Sequence, residues 1–148
     1  MQVSDYLTPE NVCLDLAAAS KRELIIRLSE LASKKTGISS SVVSTALANR
    51  ETLGSTGIGQ GIAIPHAIID ELDRGMCMFL RLSEPMDFEA VDEVPVDLVV
   101  LLLLPSADQK QGLNLLSCIA RRLRDDSVAD AVRSAATPQE VCTLLTQD

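Results

Sequence analysis

Hydrophobic and polar positions first alternate between residues 12 and 16, where Cys13 and Asp15 separate Val12, Leu14 and Leu16. That period of two marks a half-buried strand. The period then lengthens: Leu24, Ile25, Leu28, Leu31 and Ala32 recur at helical spacing. This helix opens on a capping box, Ser20-Lys21-Arg22-Glu23, and ends near Gly37, a residue suited to the left-handed turn after a helix. Ser39 or Ser40 caps a second helix that buries Val42, Val43, Ala46 and Leu47. Arg50 falls in its last turn, where a cation suits the helix dipole.

A glycine-rich stretch follows and runs into Ile62-Ala63-Ile64, a short buried strand. Residues 67–74 read as a polar surface turn, and Met76 to Leu82 as a strand. Residues 85–95 form a long connection with room for a small strand around Phe88. Val96 to Leu104 is almost wholly branched and apolar, the mark of a central strand covered on both faces, and Pro105 stops it. Beyond it lie a helix through Leu113, Leu116, Ile119, Ala120 and Leu123, a short helix with Val128, Ala131 and Val132, and a terminal helix. The last opens on the capping box Thr137-Pro138-Gln139-Glu140 and carries Val141, Leu144 and Leu145. Helices both before and after the strands predict an α/β fold, a mixed sheet flanked by helices in one domain over residues 1–148.

Composition narrows the function classes. A formal charge of -8 with few aromatic residues argues against a nucleic-acid partner. The basic cluster Arg121, Arg122 and Arg124 is followed at once by Asp125 and Asp126, as on a solvated helix face. The longest apolar run is too short to cross a bilayer, and the N-terminus lacks the basic start and apolar core of a signal peptide, so a cytoplasmic protein is expected. Cys13, Cys77, Cys118 and Cys142 are far apart among apolar neighbours and read as small core residues in a reducing compartment.

The candidate chemistry is concentrated in Gly54-Ser55-Thr56-Gly57-Ile58-Gly59-Gln60-Gly61-Ile62-Ala63-Ile64-Pro65-His66. This run holds four of the seven glycines and the one histidine of the chain. Its glycine spacing fits neither a dinucleotide fingerprint nor a nucleotide-binding lysine loop. It contains no Gly-x-Ser-x-Gly elbow, and Asp70, Glu71 and Asp73 are too loosely arranged around His66 for a metal site. What remains is His66 itself. A lone histidine after proline is more often structural than catalytic, but a free imidazole is also a nucleophile near neutral pH. A phosphoryl group on it would need donors without competing basicity. The Ser55 and Thr56 hydroxyls and the backbone N–H groups of the loop, including those of Gly57 and Gly59, offer these. Arg50, just upstream, could steady phosphoryl oxygens.

The thirteen residues from Gly54 to His66, preceded by Asn49-Arg50-Glu51, closely resemble the phosphohistidine signature of the fructose/mannitol-type enzyme IIA domains of the bacterial phosphoenolpyruvate-dependent phosphotransferase system. Residues 3–12, Leu14-Asp15-Leu16 and Pro95-Val96-Asp97-Leu98 look like the nitrogen-regulatory branch of that family, enzyme IIA-Ntr. The resemblance implies a mixed sheet of about five strands and a phosphoryl group accepted on His66 from a phosphorylated HPr-like carrier. It matches Arg50 to the family's active-site arginine and Ser55 and Thr56 to its loop hydroxyls. It implies no cofactor and no metal, and a role in regulating transporters, kinases or metabolic enzymes. The family's second active-site histidine, on the helix after the central strand, falls on Asn114 here. Asparagine can donate an amide N–H but carries no positive charge. Three other readings stand beside this one. They are a sugar-uptake enzyme IIA that passes phosphate to a IIB partner, a binding module with the same fold and no phosphate chemistry, and, more distantly, a hydrolase or metal enzyme.

Overall fold

The strand from Val96 to Leu104, β6, sits at the centre of the computed structural model, which describes residues 2–147. Successive side chains of a strand point to opposite faces, and β6 obeys this from Leu98 to Leu103. Val99, Leu101 and Leu103 join one hydrophobic cluster, Leu98, Val100 and Leu102 another. All six are 0–1 % exposed, so a nearly continuous apolar run was needed here.

Five further strands complete the sheet: β1 (Val12–Leu16), β2 (Gly57–Gly59), β3 (Ile62–Ala63), β4 (His66–Ile68) and β5 (Met76–Met86). β5 lies antiparallel to β6 and carries β1 parallel on its outer side. On the other flank β3 and β4 both pair parallel with β6, and β2 turns back antiparallel on β3. The sheet is therefore mixed. It has six strands but five positions across, because β3 and β4 share one flank of β6 on either side of Ile64 and Pro65.

α1 (Lys21–Thr36) and α2 (Ser40–Thr52) cover the face of Val99, Leu101 and Leu103. α3 (Gln109–Leu123), α4 (Asp126–Ser134) and α5 (Pro138–Thr146) cover the other. The helix starts follow the local code. The Ser20 hydroxyl accepts the Glu23 N–H, and the Glu23 carboxylate accepts the N–H of Ala19. Thr137 accepts from Glu140 in the same manner, and Gly37 closes α1 at φ +77°.

Several expectations change, among them Val42, which α2 leaves exposed. Residues 67 and 68 belong to β4 with His66, not to a surface turn, and Ala67 and Ile69 are buried. β5 runs on past Leu82 to Met86, which pairs with Val96. Phe88 lies in no strand but is fully buried. Cys77 and Cys142 are buried, while Cys13 and Cys118 are half-buried. Burial pushes the Cys77 thiol up to about 12, so it behaves as an inert core residue.

Candidate functional site

His66 is the first residue of β4, paired beside Leu102 of β6. Pro65 before it fixes the backbone, and the Pro65 carbonyl accepts the Leu102 N–H at 3.0 Å. The imidazole is half-buried and both ring nitrogens have partners. Nδ1 lies 2.7 Å from the Ile64 carbonyl oxygen. A carbonyl can only accept, so Nδ1 carries the hydrogen and the lone pair is left on Nε2. Nε2 accepts from Arg50 Nε at 3.3 Å. Arg50 reaches it from the last turn of α2 and is braced by a hydrogen bond from Nη1 to the Gly54 carbonyl at 3.0 Å.

These two residues open into a cleft of about 530 Å³ between α2, β4 and the start of α3. Its polar lining is Asn49, Arg50, His66 and Gln109, and its apolar lining is Ala46, Leu53, Ala67, Ile68, Leu104 and Leu113. Leu53, Ile68 and Leu113 are 84, 46 and 59 % exposed, so the cleft is ringed by apolar surface. Among the described residues, no three His, Cys, Asp or Glu side chains converge on one point.

The glycine loop is placed differently from the cradle the sequence suggests. Thr56 is 3 % exposed; its hydroxyl donates to Glu51 Oε2 at 2.6 Å and its N–H to Glu51 Oε1 at 3.1 Å. Ser55 Oγ donates to the Phe88 carbonyl and accepts the Gly57 N–H. Gly57 is pressed against Ala90, where an added Cβ would come within 2.7 Å of the Ala90 Cβ. Gly59, at φ +100°, faces Asp92 across the β2–β3 turn. The Asp92 carboxylate is held below the usual range by the N–H groups of Gln60 and Val94. None of Ser55, Thr56, Gly57 or Gly59 lines the cleft at His66.

Asn114 also stands outside that lining. The register of α3 explains why. Gly112, Leu115, Ile119 and Leu123 are its buried residues, and a Cβ on Gly112 would fall 2.5 Å from Leu104 Cδ1. At about 100° per residue Asn114 is turned about 200° from Gly112, and its side chain is exposed. Gln109 and Leu113, four residues apart on one helix face, occupy the rim instead. The sequence signalled neither. It did place Asn49 beside Arg50, yet gave no reason to single it out.

The chain matches the family model described as phosphoenolpyruvate-dependent sugar phosphotransferase system, EIIA 2, over residues 5–148. It is 38% identical over 148 residues to a nitrogen regulatory protein of Klebsiella oxytoca, covering 99% of this chain and 91% of that one. A crystal structure of nitrogen regulatory protein IIA-Ntr from Neisseria meningitidis superposes with a TM-score of 0.93 at 32% identity, over 97% of this chain and 99% of that one. Enzyme IIA of the mannitol system of Escherichia coli, in its complex with phosphorylated enzyme IIB, superposes with a TM-score of 0.79 at 25% identity, over 94% and 96%.

Proposed function

We propose that this chain, which belongs to the EIIA 2 family of the phosphoenolpyruvate-dependent sugar phosphotransferase system, carries a phosphoryl group on Nε2 of His66. The observation that carries this reading is the division of labour between the two ring nitrogens. Nδ1–H is tied back to Ile64, and Nε2 keeps its lone pair on the Arg50 N–H, at the lining of an open cleft.

In the proposed step Nε2 attacks the phosphorus of a phosphohistidine on an HPr-like carrier. The Nε2–P bond forms as the donor's P–N bond breaks, and the donor imidazole leaves with the bonding pair. Nδ1 of His66 keeps its proton on the Ile64 carbonyl, so no general base is required. Arg50 releases Nε2 and turns its N–H groups to the phosphoryl oxygens, whose charge is spread in a loose transition state. Asn49 and Gln109 bring neutral amide donors to the same rim. An apolar collar of Leu53, Ile68 and Leu113 suits a protein surface better than a small polar donor.

The similarity to nitrogen regulatory proteins supports a regulatory use, in which the phosphorylation state sets binding to a transporter, sensor kinase or metabolic enzyme. The likeness to enzyme IIA bound to a phosphorylated IIB favours the second reading, delivery of the phosphoryl group to a IIB partner. Labelling from phosphoenolpyruvate through enzyme I and an HPr-like carrier tests the shared chemistry. Wild type takes up acid-labile phosphate and His66→Ala takes up none. Labelling of His66→Ala, or none of wild type, contradicts the assignment. Adding a IIB protein to the labelled chain then separates the two uses, since only the second predicts that it drains the label.

A further inference from the structure

Glu51 is the next residue after Arg50, yet its side chain turns away from the cleft at His66 and into the protein. Its side chain is 6 % exposed and both carboxylate oxygens are engaged. Oε1 accepts from Lys21 Nζ at 2.9 Å and from the Thr56 N–H, and Oε2 accepts the Thr56 hydroxyl. Lys21, itself 16 % exposed, lies 4.6 Å over the Phe88 ring. It is the first residue of α1, where a cation opposes the helix dipole. A buried carboxylate without a counter-ion would be far more costly than that mismatch. The ion pair therefore accounts for a lysine where local helix chemistry disfavours one.

The contacts continue to the imidazole. The Thr56 carbonyl accepts the Ile64 N–H at 3.0 Å, and the Ile64 carbonyl holds His66 Nδ1–H at 2.7 Å. In parallel, Arg50 braces itself on the Gly54 carbonyl, two residues before Thr56. Ser55, between them, is tied to the Phe88 carbonyl beneath Lys21. A shift of Thr56 would move both the carbonyl that selects the His66 tautomer and the turn against which Arg50 is set.

We propose that Glu51, neutralised by Lys21, is a positioning residue for phosphoryl transfer: by clamping Thr56 it holds Ile64 and Gly54 where His66 presents an unprotonated Nε2 to Arg50. This inference rests on the function proposed above. Glu51 touches neither the imidazole nor the incoming phosphoryl group. It acts through the backbone of the loop, and a misplacement of about 1 Å in a reacting pair is enough to slow a reaction by orders of magnitude.

The test compares Glu51→Gln, Thr56→Val and Thr56→Ser with wild type by two readouts. The first is the rate of phosphate uptake at saturating phosphorylated HPr-like carrier, with the carrier concentration that gives half that rate. The second is the ¹⁵N spectrum of the ring, which is unambiguous because the chain has one histidine. Expected for Glu51→Gln and Thr56→Val are a saturated rate lower by about tenfold, an unchanged half-saturating concentration, and a ring spectrum moved from Nδ1–H toward a mixture of tautomers. Thr56→Ser, which keeps the hydroxyl, should recover the rate to within about twofold of wild type. If Glu51→Gln does not fold, the Thr56→Val and Thr56→Ser pair decides. Variants that lose thermal stability but keep the wild-type rate and tautomer would overturn the proposal and leave Glu51 a purely structural ion pair. If wild type itself takes up no phosphate, the function reading fails. The tautomer comparison then still decides whether Glu51 sets the ring.

Discussion

The two halves of the glycine-rich stretch share one signature but behave as opposites. Residues 54–61 commit their polar groups to the protein itself: Thr56 to Glu51, Ser55 to Phe88 and, at the surface, the Gln60 N–H to Asp92. Residues 62–66 build a strand flank for β6 and end by presenting an imidazole to an open cleft. A glycine loop beside a reactive histidine suggests an anion cradle, yet donors already bound to carboxylates and carbonyls are not available to a phosphoryl group. Here the loop acts as a mount. Its glycines allow close approach to Ala90 and a turn at positive φ, while the guanidinium beside the imidazole comes from α2.

Arg50→Ala tests this division with the largest expected effect. Transfer should fall by about 10²-fold, the usual loss on removing one donor to developing charge, with little change in melting temperature. A rate within threefold of wild type would return the electrostatic work to the loop. Gly57→Ala comes next. Its new methyl must displace Ala90, so we expect a loss of about 1–3 kcal/mol in stability, read by thermal melting, with transfer by the folded protein reduced far less. Unchanged stability with transfer abolished would mean that the Gly57 backbone serves the phosphoryl group directly. Ser55→Ala should lower transfer by less than about threefold, since its hydroxyl braces the loop through two hydrogen bonds, each worth about 1 kcal/mol, and lines no part of the cleft. Asn114→Ala should leave the rate within error, because its amide is on the outer face of α3. A tenfold loss there would show that α3 turns or shifts when the donor docks.

The same contrast explains what could be read from the residues alone. Signals carried by neighbours in sequence were legible: the Ser20 and Thr137 capping boxes, Gly37 at the end of α1, and the all-apolar β6. The meeting of Arg50 with His66 was legible because both belong to the stretch that resembles the enzyme IIA signature. β4 was not, since its residues gain strand geometry by pairing with Leu102, Leu103 and Leu104, some 36 positions away. The aim of the Ser55 hydroxyl depends on a carbonyl 33 residues on. Asn114 could not be placed from spacing either, because a shift of one or two residues along a helix carries a side chain from the rim to the solvent side. The rotation of α3 was fixed by Gly112 against Leu104, a contact across the fold.

The central claim is that Nε2 of His66 is the atom that accepts phosphorus, and ¹⁵N–³¹P coupling in the phosphorylated, histidine-labelled protein addresses it directly. The account predicts one-bond coupling at Nε2, with Nδ1 still protonated against Ile64. One-bond coupling at Nδ1, or phosphate on any residue other than His66, would contradict it.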